Sequence, residues 1–302
     1  MKLENFVSVN QLEKEDFWEI MDTAESLKRD LRSGKSHKVL PGQTLGMVFL
    51  KPSLRTRVSF EVGMTQLGGH AVYLGPDDIK LGERETTEDI GLVLSRYVDG
   101  IMARVFEHEI IEDLAEHSTV PVINGLTDHL HPCQALADFF TIYESKRELE
   151  GLKLAFIGDG NNVAHSLINT AGLTEVDFAI ATPEGFEPDE SVVEAARKKT
   201  TVELYSEPAE AAAGADVIYT DVWASMGEED VADQKKGSFE GFRVDESLLA
   251  QGKPNAKVMH CLPAHYDEEI SQSVAHGPDS LIFEQAENRM HAQKALMALL
   301  MS

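Results

Sequence analysis

Thr44-Leu45-Gly46-Met47-Val48-Phe49-Leu50, then Lys51-Pro52, then Ser53-Leu54-Arg55-Thr56-Arg57, then residues 58–67: an apolar run, a polar joint and a segment of helical spacing. The run has the length and content of a buried strand, and the last segment places its apolar residues three and four apart. The same unit recurs along the chain. Strand-like runs at 71–74, 100–103 and 120–123 alternate with helical segments at 12–31, 86–97, 109–117 and 134–149. A second series has strands at 152–157, 178–181, 202–205, 217–220 and 258–261, with helices at 163–171, 190–199, 209–213 and 286–300. Strands that alternate with helices build parallel sheets covered on both faces. The pattern predicts an α/β chain of two doubly wound parallel-sheet domains, residues 1–145 and 146–284, joined by interdomain helices. The C-terminal helix, 285–302, is expected to pack back onto the first domain.

Open parallel sheets bind ligands beyond the carboxyl ends of their strands. In this chain those positions hold residues 53–57, Arg104, 124–134, 158–162, 221–227 and 260–265, which are its polar, chemically loaded segments. Ser53 to Arg57 stand where a strand hands over to a helix. Helix-start amides have no intrahelical acceptor, and two guanidinium forks suit the oxygens of a phosphate. The alternative is a helix cap with two solvated arginines. The chain has eleven arginines, so two at one helix start favour an anion site. The glycines and the terminal Gly-Lys-Ser/Thr of a nucleotide P-loop are missing.

Gly158-Asp159-Gly160-Asn161-Asn162 is an incomplete dinucleotide fingerprint. Its asparagines serve either a ligand or a helix cap. An acidic ribose ligand is expected after the next strand of a nucleotide-linked dehydrogenase, and Ala181-Thr182-Pro183 stands there instead. His131-Pro132-Cys133-Gln134 precedes a long helix, with proline suited to its first turn. Asp221-Val222-Trp223-Ala224-Ser225-Met226-Gly227 offers a carboxylate and a hydroxyl. The acidic stretch 228–241 after it reads as a mobile lid or a solvated loop. His260-Cys261-Leu262-Pro263-Ala264-His265 has no zinc spacing, so neither metal nor cofactor is expected.

The 302 residues are 42% hydrophobic and 26% charged, with a formal net charge of -25. Such acidity excludes nucleic acid and anionic membrane as partners, and it forces any anionic substrate to meet local cations. Two cysteines, the absence of a long apolar run and the mixed opening Met1-Lys2-Leu3-Glu4-Asn5 predict a cytoplasmic protein without a secretory leader.

In order and spacing, these segments resemble the aspartate/ornithine carbamoyltransferase family, its ornithine branch above all. The most specific are 53–61, Met102-Ala103-Arg104, Asn124 to Asp128, His131 to Gln134, 158–162, 221–227, 260–265 and 285–294. The resemblance implies carbamoyl transfer from carbamoyl phosphate to the δ-amine of L-ornithine, giving L-citrulline and phosphate, with no covalent enzyme intermediate. It implies phosphate binding by Ser53, Leu54, Arg55 and Thr56 with Arg57 in support. The carbamoyl group falls to Arg104, His131 and Gln134, completed by Cys261, Leu262 and Arg289, and ornithine to Asn162, Asp221, Ser225 and Met226. Arg104, His131, Asp221 and Cys261 carry the catalytic roles. It also implies homotrimers, or multiples of trimers, with a neighbour's loop at each site. The family's phosphate loop usually has threonine where this chain has Leu54, and its neighbour loop usually has glutamine where this chain has Lys80. Tyr266-Asp267 stands in place of the usual Arg-Gly and touches no expected binding residue. Other amine acceptors, namely aspartate, putrescine or an N-acylated ornithine, and a non-catalytic binding relative are the competing readings.

Overall fold

The structure, a computed structural model, describes residues 3–79, 85–224 and 232–302. Two compact units divide them. Thr141–Glu287 form one; the residues before it, together with Asn288–Ser302, form the other. The divisions fall inside two helices, Pro132–Lys146 and Ile282–Leu300, a few residues from the 145 and 285 read from the sequence.

In the first unit, strands β1 (Thr44–Phe49), β2 (His70–Leu74), β3 (Gly100–Arg104) and β4 (Val122–Leu126) form a parallel sheet in the order β2-β1-β3-β4. In the second, β5 (Lys153–Ile157), β6 (Asp177–Ala181), β7 (Val202–Tyr205), β8 (Val217–Thr220) and β9 (Lys257–His260) are parallel in the order β7-β6-β5-β8-β9. Each order reverses direction once, between β1 and β3 and between β5 and β8. At a reversal the two flanking loops leave in opposite directions and open a crevice. The segments after β1 and β3, and after β5 and β8, are among those the sequence marks as loaded.

Element ends moved where a side chain supplied what the backbone lacked. The helix expected from residue 58 begins at Leu54, because Ser53 is extended and its Oγ accepts from Thr56 N at 3.3 Å. The strand expected at 120–123 runs to Leu126. Asn124 and Gly125 read as breakers, but Asn124 N donates to Phe6 O at 2.8 Å and Asn124 Nδ2 to Val7 O at 2.9 Å. The N-terminal segment thus pairs the outer edge of β4. Pro76–Ile79, Glu246–Leu249 and Gln272–Ala275 are single helical turns, too short for periodicity to reveal.

The lid reading of 228–241 needs correction over its later part. Ala232–Ser238 is helical, and the Phe239 ring is fully buried, 5.5 Å from Trp223 in a stack and 4.9 Å from Phe186 edge-on. An aromatic side chain removed from water this way anchors the segment to the second unit's core.

The first unit buries cations along Ile282–Leu300. Lys28 Nζ donates to Asn288 Oδ1 at 2.6 Å, and Lys294 Nζ lies 3.0 Å from His37 Nε2 and 2.9 Å from Gln66 Oε1. Burial pulls the Lys294 ammonium down to about 8, against the opposing pull of Asp30, and lowers His37 as well. Between pH 8 and 10.5 the unfolded chain holds a proton on this lysine that the folded chain has released. Stability therefore rises with pH across that window, and the cost of the buried charge is complete below it. Lys294→Met is expected to raise the melting temperature at pH 7.5, with the difference from wild type shrinking toward pH 10 in calorimetric scans. A constant difference would refute the assignment.

On the outer face of Leu54–Leu67, Leu54, Val58 and Val62 are 76%, 48% and 38% exposed at successive turns, an apolar stripe facing solvent. No described helix is long and apolar enough to cross a membrane.

Candidate active site

In the first unit the helix start at Ser53 is joined by three distant side chains. Thr56 is fully buried, and its Oγ1 accepts from Arg289 Nη2 at 2.8 Å, a bond spanning 233 positions of sequence. Arg104, the last residue of β3, is 5% exposed. His131, also buried, stands just before helix Pro132–Lys146. Burial, then the Arg289 guanidinium, then that of Arg104, hold the His131 ring well below its usual pKa. The imidazole is thus neutral near pH 7 and offers one N–H as a donor.

Arg55 is half-buried at the same helix start, with Nε shielded from solvent and no hydrogen bond to it among the described residues. The Leu54 side chain points to water, so only its backbone N–H faces the helix start. Arg57 is turned elsewhere: its guanidinium lies 4.0 Å over the Tyr73 ring, with Nε 3.4 Å from Glu61. Two residues along a helix turn a side chain through about 200°, which separates it from Arg55. Gln134, fully buried, donates from Nε2 to Asp138 Oδ1 at 2.7 Å. Cys133 is structural. Burial pushes its thiol up to about 12, and Sγ donates to Asn124 O at 3.2 Å.

Two residues here escaped the sequence reading. Lys51 is 8% exposed, with Nζ 4.2 Å over the Phe106 ring, and adds a cation directly after β1. Its signal was its place at a strand end beside Pro52. Asp138 was hidden because only the helical turn between 134 and 138 makes it a partner.

In the second unit, Asn161 caps helix Asn162–Thr174. Its Oδ1 accepts from Val163 N at 2.9 Å and Ala164 N at 3.2 Å, and Nδ2 donates to Asp221 Oδ2 at 3.1 Å. Of the two asparagines, one is the cap, and Asn162 follows it at the first helical position, half-buried. The buried Asp221 carboxylate also accepts through Oδ1 from Cys261 Sγ at 2.9 Å and from Val222 N at 2.8 Å. Asp159 pairs with Lys235 at 2.9 Å.

Gly160 explains the imperfect fingerprint. A Cβ there would meet Pro188 N at 2.2 Å, and Gly160 N donates to Phe186 O at 2.8 Å. The glycine admits the chain's own backbone, not a pyrophosphate.

His260, Asp221 and Cys261 bring potential ligand atoms within 4.8 Å of one another. Both His260 nitrogens are already used: Nδ1 accepts from Leu262 N at 2.8 Å, and Nε2 faces Glu269 Oε1 at 3.0 Å. The ring holds the Cys261-Leu262 turn, in which Leu262 adopts a left-handed φ of 60°. Cys261 and Leu262 belong to the second unit, whereas Arg289 belongs to the first. Lys80, Ser225 and Met226 lie outside the described residues.

One unit therefore concentrates arginines at a helix start, as phosphate binding requires. The other presents a buried carboxylate with a thiol and an amide, as an amine requires. Comparison with known proteins also divides the chain near residue 145, with the C-terminal helix counted in the second half. The model of the aspartate/ornithine carbamoyltransferase carbamoyl-P binding domain matches residues 4–144, and that of the Asp/Orn binding domain matches residues 150–300. The chain is 52% identical over 292 residues to the anabolic ornithine carbamoyltransferase of Pyrococcus furiosus, covering 95% of this chain and 93% of that one. A solved structure of ornithine carbamoyltransferase from the same organism superposes with a TM-score of 0.96 at 50% identity, over 99% of this chain and 97% of that one. One from Thermus thermophilus gives a TM-score of 0.92 at 42% identity, over the whole of both chains. With both halves matched, and with the cationic helix start and the buried carboxylate each in the half that carries it, the chain belongs to the aspartate/ornithine carbamoyltransferase family.

Proposed function

We propose that the protein transfers the carbamoyl group of carbamoyl phosphate to the δ-amine of L-ornithine, giving L-citrulline and phosphate. The observation that carries this reading is the buried group Arg104, His131 and Arg289, with Arg289 bonded to Thr56 in the first turn behind Ser53. Ser53, Leu54, Arg55 and Thr56 bind the phosphate through the helix-start amides and the Arg55 guanidinium, and Leu54 contributes its amide alone. Arg57 supports the helix start through its stack on Tyr73. Arg104, Arg289 and the neutral His131 N–H donate to the carbonyl oxygen as it gains charge, and Gln134 meets the amide end.

On the second unit, Asp221 and Cys261 orient the attacking amine, with Asn162, Ser225 and Met226 holding the rest of ornithine. Cys261 and Leu262 also complete the carbamoyl contacts. The δ-amine has an ordinary pKa near ~10.4, as for lysine, so binding must select its neutral form. Attack forms the C–N bond and breaks the C–O bond to phosphate, and the departing phosphate takes the amine's proton. Every step is a direct displacement, without a covalent enzyme intermediate and without metal or cofactor.

The exposed stripe Leu54, Val58 and Val62 beside the phosphate helix start supports a homotrimer, or a multiple of it, in which a second copy covers this face. Lys80 then comes from the neighbour as a point charge for phosphate. Both cysteines are buried and form no disulfide, which suits a cytoplasmic protein.

The test is citrulline formation with ornithine, putrescine, aspartate and N-acetylornithine compared side by side. Ornithine is expected to give the highest kcat/KM. A better acceptor among the other three would overturn the specificity, and no turnover with any would favour a binding relative.

A further inference from the structure

We infer that Asp138 is a positioning residue that makes the donor site select a carbamoyl group, by holding the Gln134 side chain with its oxygen toward the substrate. The inference rests on the carbamoyl-phosphate reading of the first unit. Gln134 and Asp138 stand one turn apart on helix Pro132–Lys146, both fully buried, with Gln134 Nε2 donating to Asp138 Oδ1 at 2.7 Å. A carboxylate accepts hydrogen bonds and offers none, so the amide must turn its nitrogen to Asp138. Its oxygen is then left over: Gln134 Oε1 is buried and has no hydrogen bond among the described residues.

Gln134 also begins beside His131, its backbone N donating to His131 O at 3.1 Å. The neighbours Arg104 and Arg289 are donors only, and the neutral His131 ring gives one N–H. These groups recognise carbonyl and phosphate oxygens equally well in carbamoyl, acetyl or carboxyl phosphates. An acceptor is what separates –NH2 from –CH3 or an oxygen, and Gln134 Oε1 is that acceptor. Were the amide reversed, Nε2 would meet the substrate's –NH2 donor to donor. The chain thus spends a buried carboxylate on the orientation of one amide, because an unpartnered glutamine presents either end.

The experiment compares two stable analogues by calorimetric titration of the intact protein. Phosphonoacetamide keeps the –NH2, and 2-oxopropylphosphonate replaces it with methyl. The wild type is expected to bind the amide ~10-fold more tightly or better, the worth of one buried hydrogen bond. Asp138→Leu removes the acceptor at similar volume. Its amide preference is expected to fall to about twofold or less, while the methyl ketone binds within about twofold of wild type. Asp138→Asn, which is isosteric, makes the same comparison should the leucine variant not fold, and its preference is expected to drop about threefold, because its own amide can pair with either end of Gln134. An unchanged preference in the folded variant, or equal weakening of both analogues, overturns the role of Asp138 alone. Failure of the wild type to bind either analogue overturns the donor-site reading, and this inference with it.

Discussion

Arg104→Ala is expected to lower kcat for citrulline formation by roughly 10²–10³-fold, the usual effect of removing one preorganised donor from a developing oxyanion, the role proposed for Arg104. Arg104 closes β3 at the crevice between β1 and β3, its register held by pairing with Phe49 and by Leu50 N donating to its carbonyl at 2.9 Å. Those backbone bonds survive the substitution, so the strand end stays in place. The variant is expected to unfold cooperatively, as the wild type does. The same change takes away one of the two positive neighbours that depress His131, so its pKa rises toward the ordinary value. Steady-state kinetics, thermal denaturation and histidine NMR titration read the three effects separately. A variant with near-normal kcat would remove Arg104 from the reaction.

Asp221→Asn is the counterpart on the second unit. Asp221 accepts from Asn161 Nδ2, Cys261 Sγ and Val222 N with two oxygens. An asparagine keeps one oxygen and turns an N–H2 toward a group that already donates. The expected loss in kcat/KM for ornithine is about 10²-fold, since hydrogen bonds to a buried carboxylate are among the stronger ones. The KM for carbamoyl phosphate should hold, because the residues proposed to bind phosphate belong to the other unit. Ornithine and carbamoyl phosphate saturation curves decide it. Equal damage to both would mean that Asp221 holds the second unit together and does not touch the amine.

β7 and β8 run where the sequence put them, and β1, β2, β3, β5, β6 and β9 lie within one residue of it; in β6 and β8 burial on both faces leaves a continuous apolar run. Helix starts and the end of β4 were harder. Ser53 to Arg57 read as a helix start, and the bond from Thr56 N to Ser53 Oγ fixes the first turn at Leu54; Asn124 read as the start of a loop, and its bond to Val7 shows that it continues β4. The candidate residues were legible for a related reason: a polar cluster directly after a strand has few structural uses. Arg57 belonged to that cluster by sequence and leaves it in space, because the helix that includes Arg55 carries Arg57 round to Tyr73. Lys51 and Asp138 gave no local signal beyond a lysine at a strand end and an acid within a helix.

By itself the sequence determined the class of fold, two runs of strand and helix, and the ends of the strands where chemistry had to lie. Periodicity records which side of each segment meets the core, and that is a local property. The tertiary structure alone decided which loops meet. The orders β2-β1-β3-β4 and β7-β6-β5-β8-β9 set the loop after β1 beside that after β3, and the loop after β5 beside that after β8. The order of the second sheet sets Asp221 beside Cys261, 40 positions apart, and the packing of the C-terminal helix joins Arg289 to Thr56, 233 positions apart. No local pattern carries such pairings, because they arise from how whole segments pack and from the need of each buried polar group for a partner.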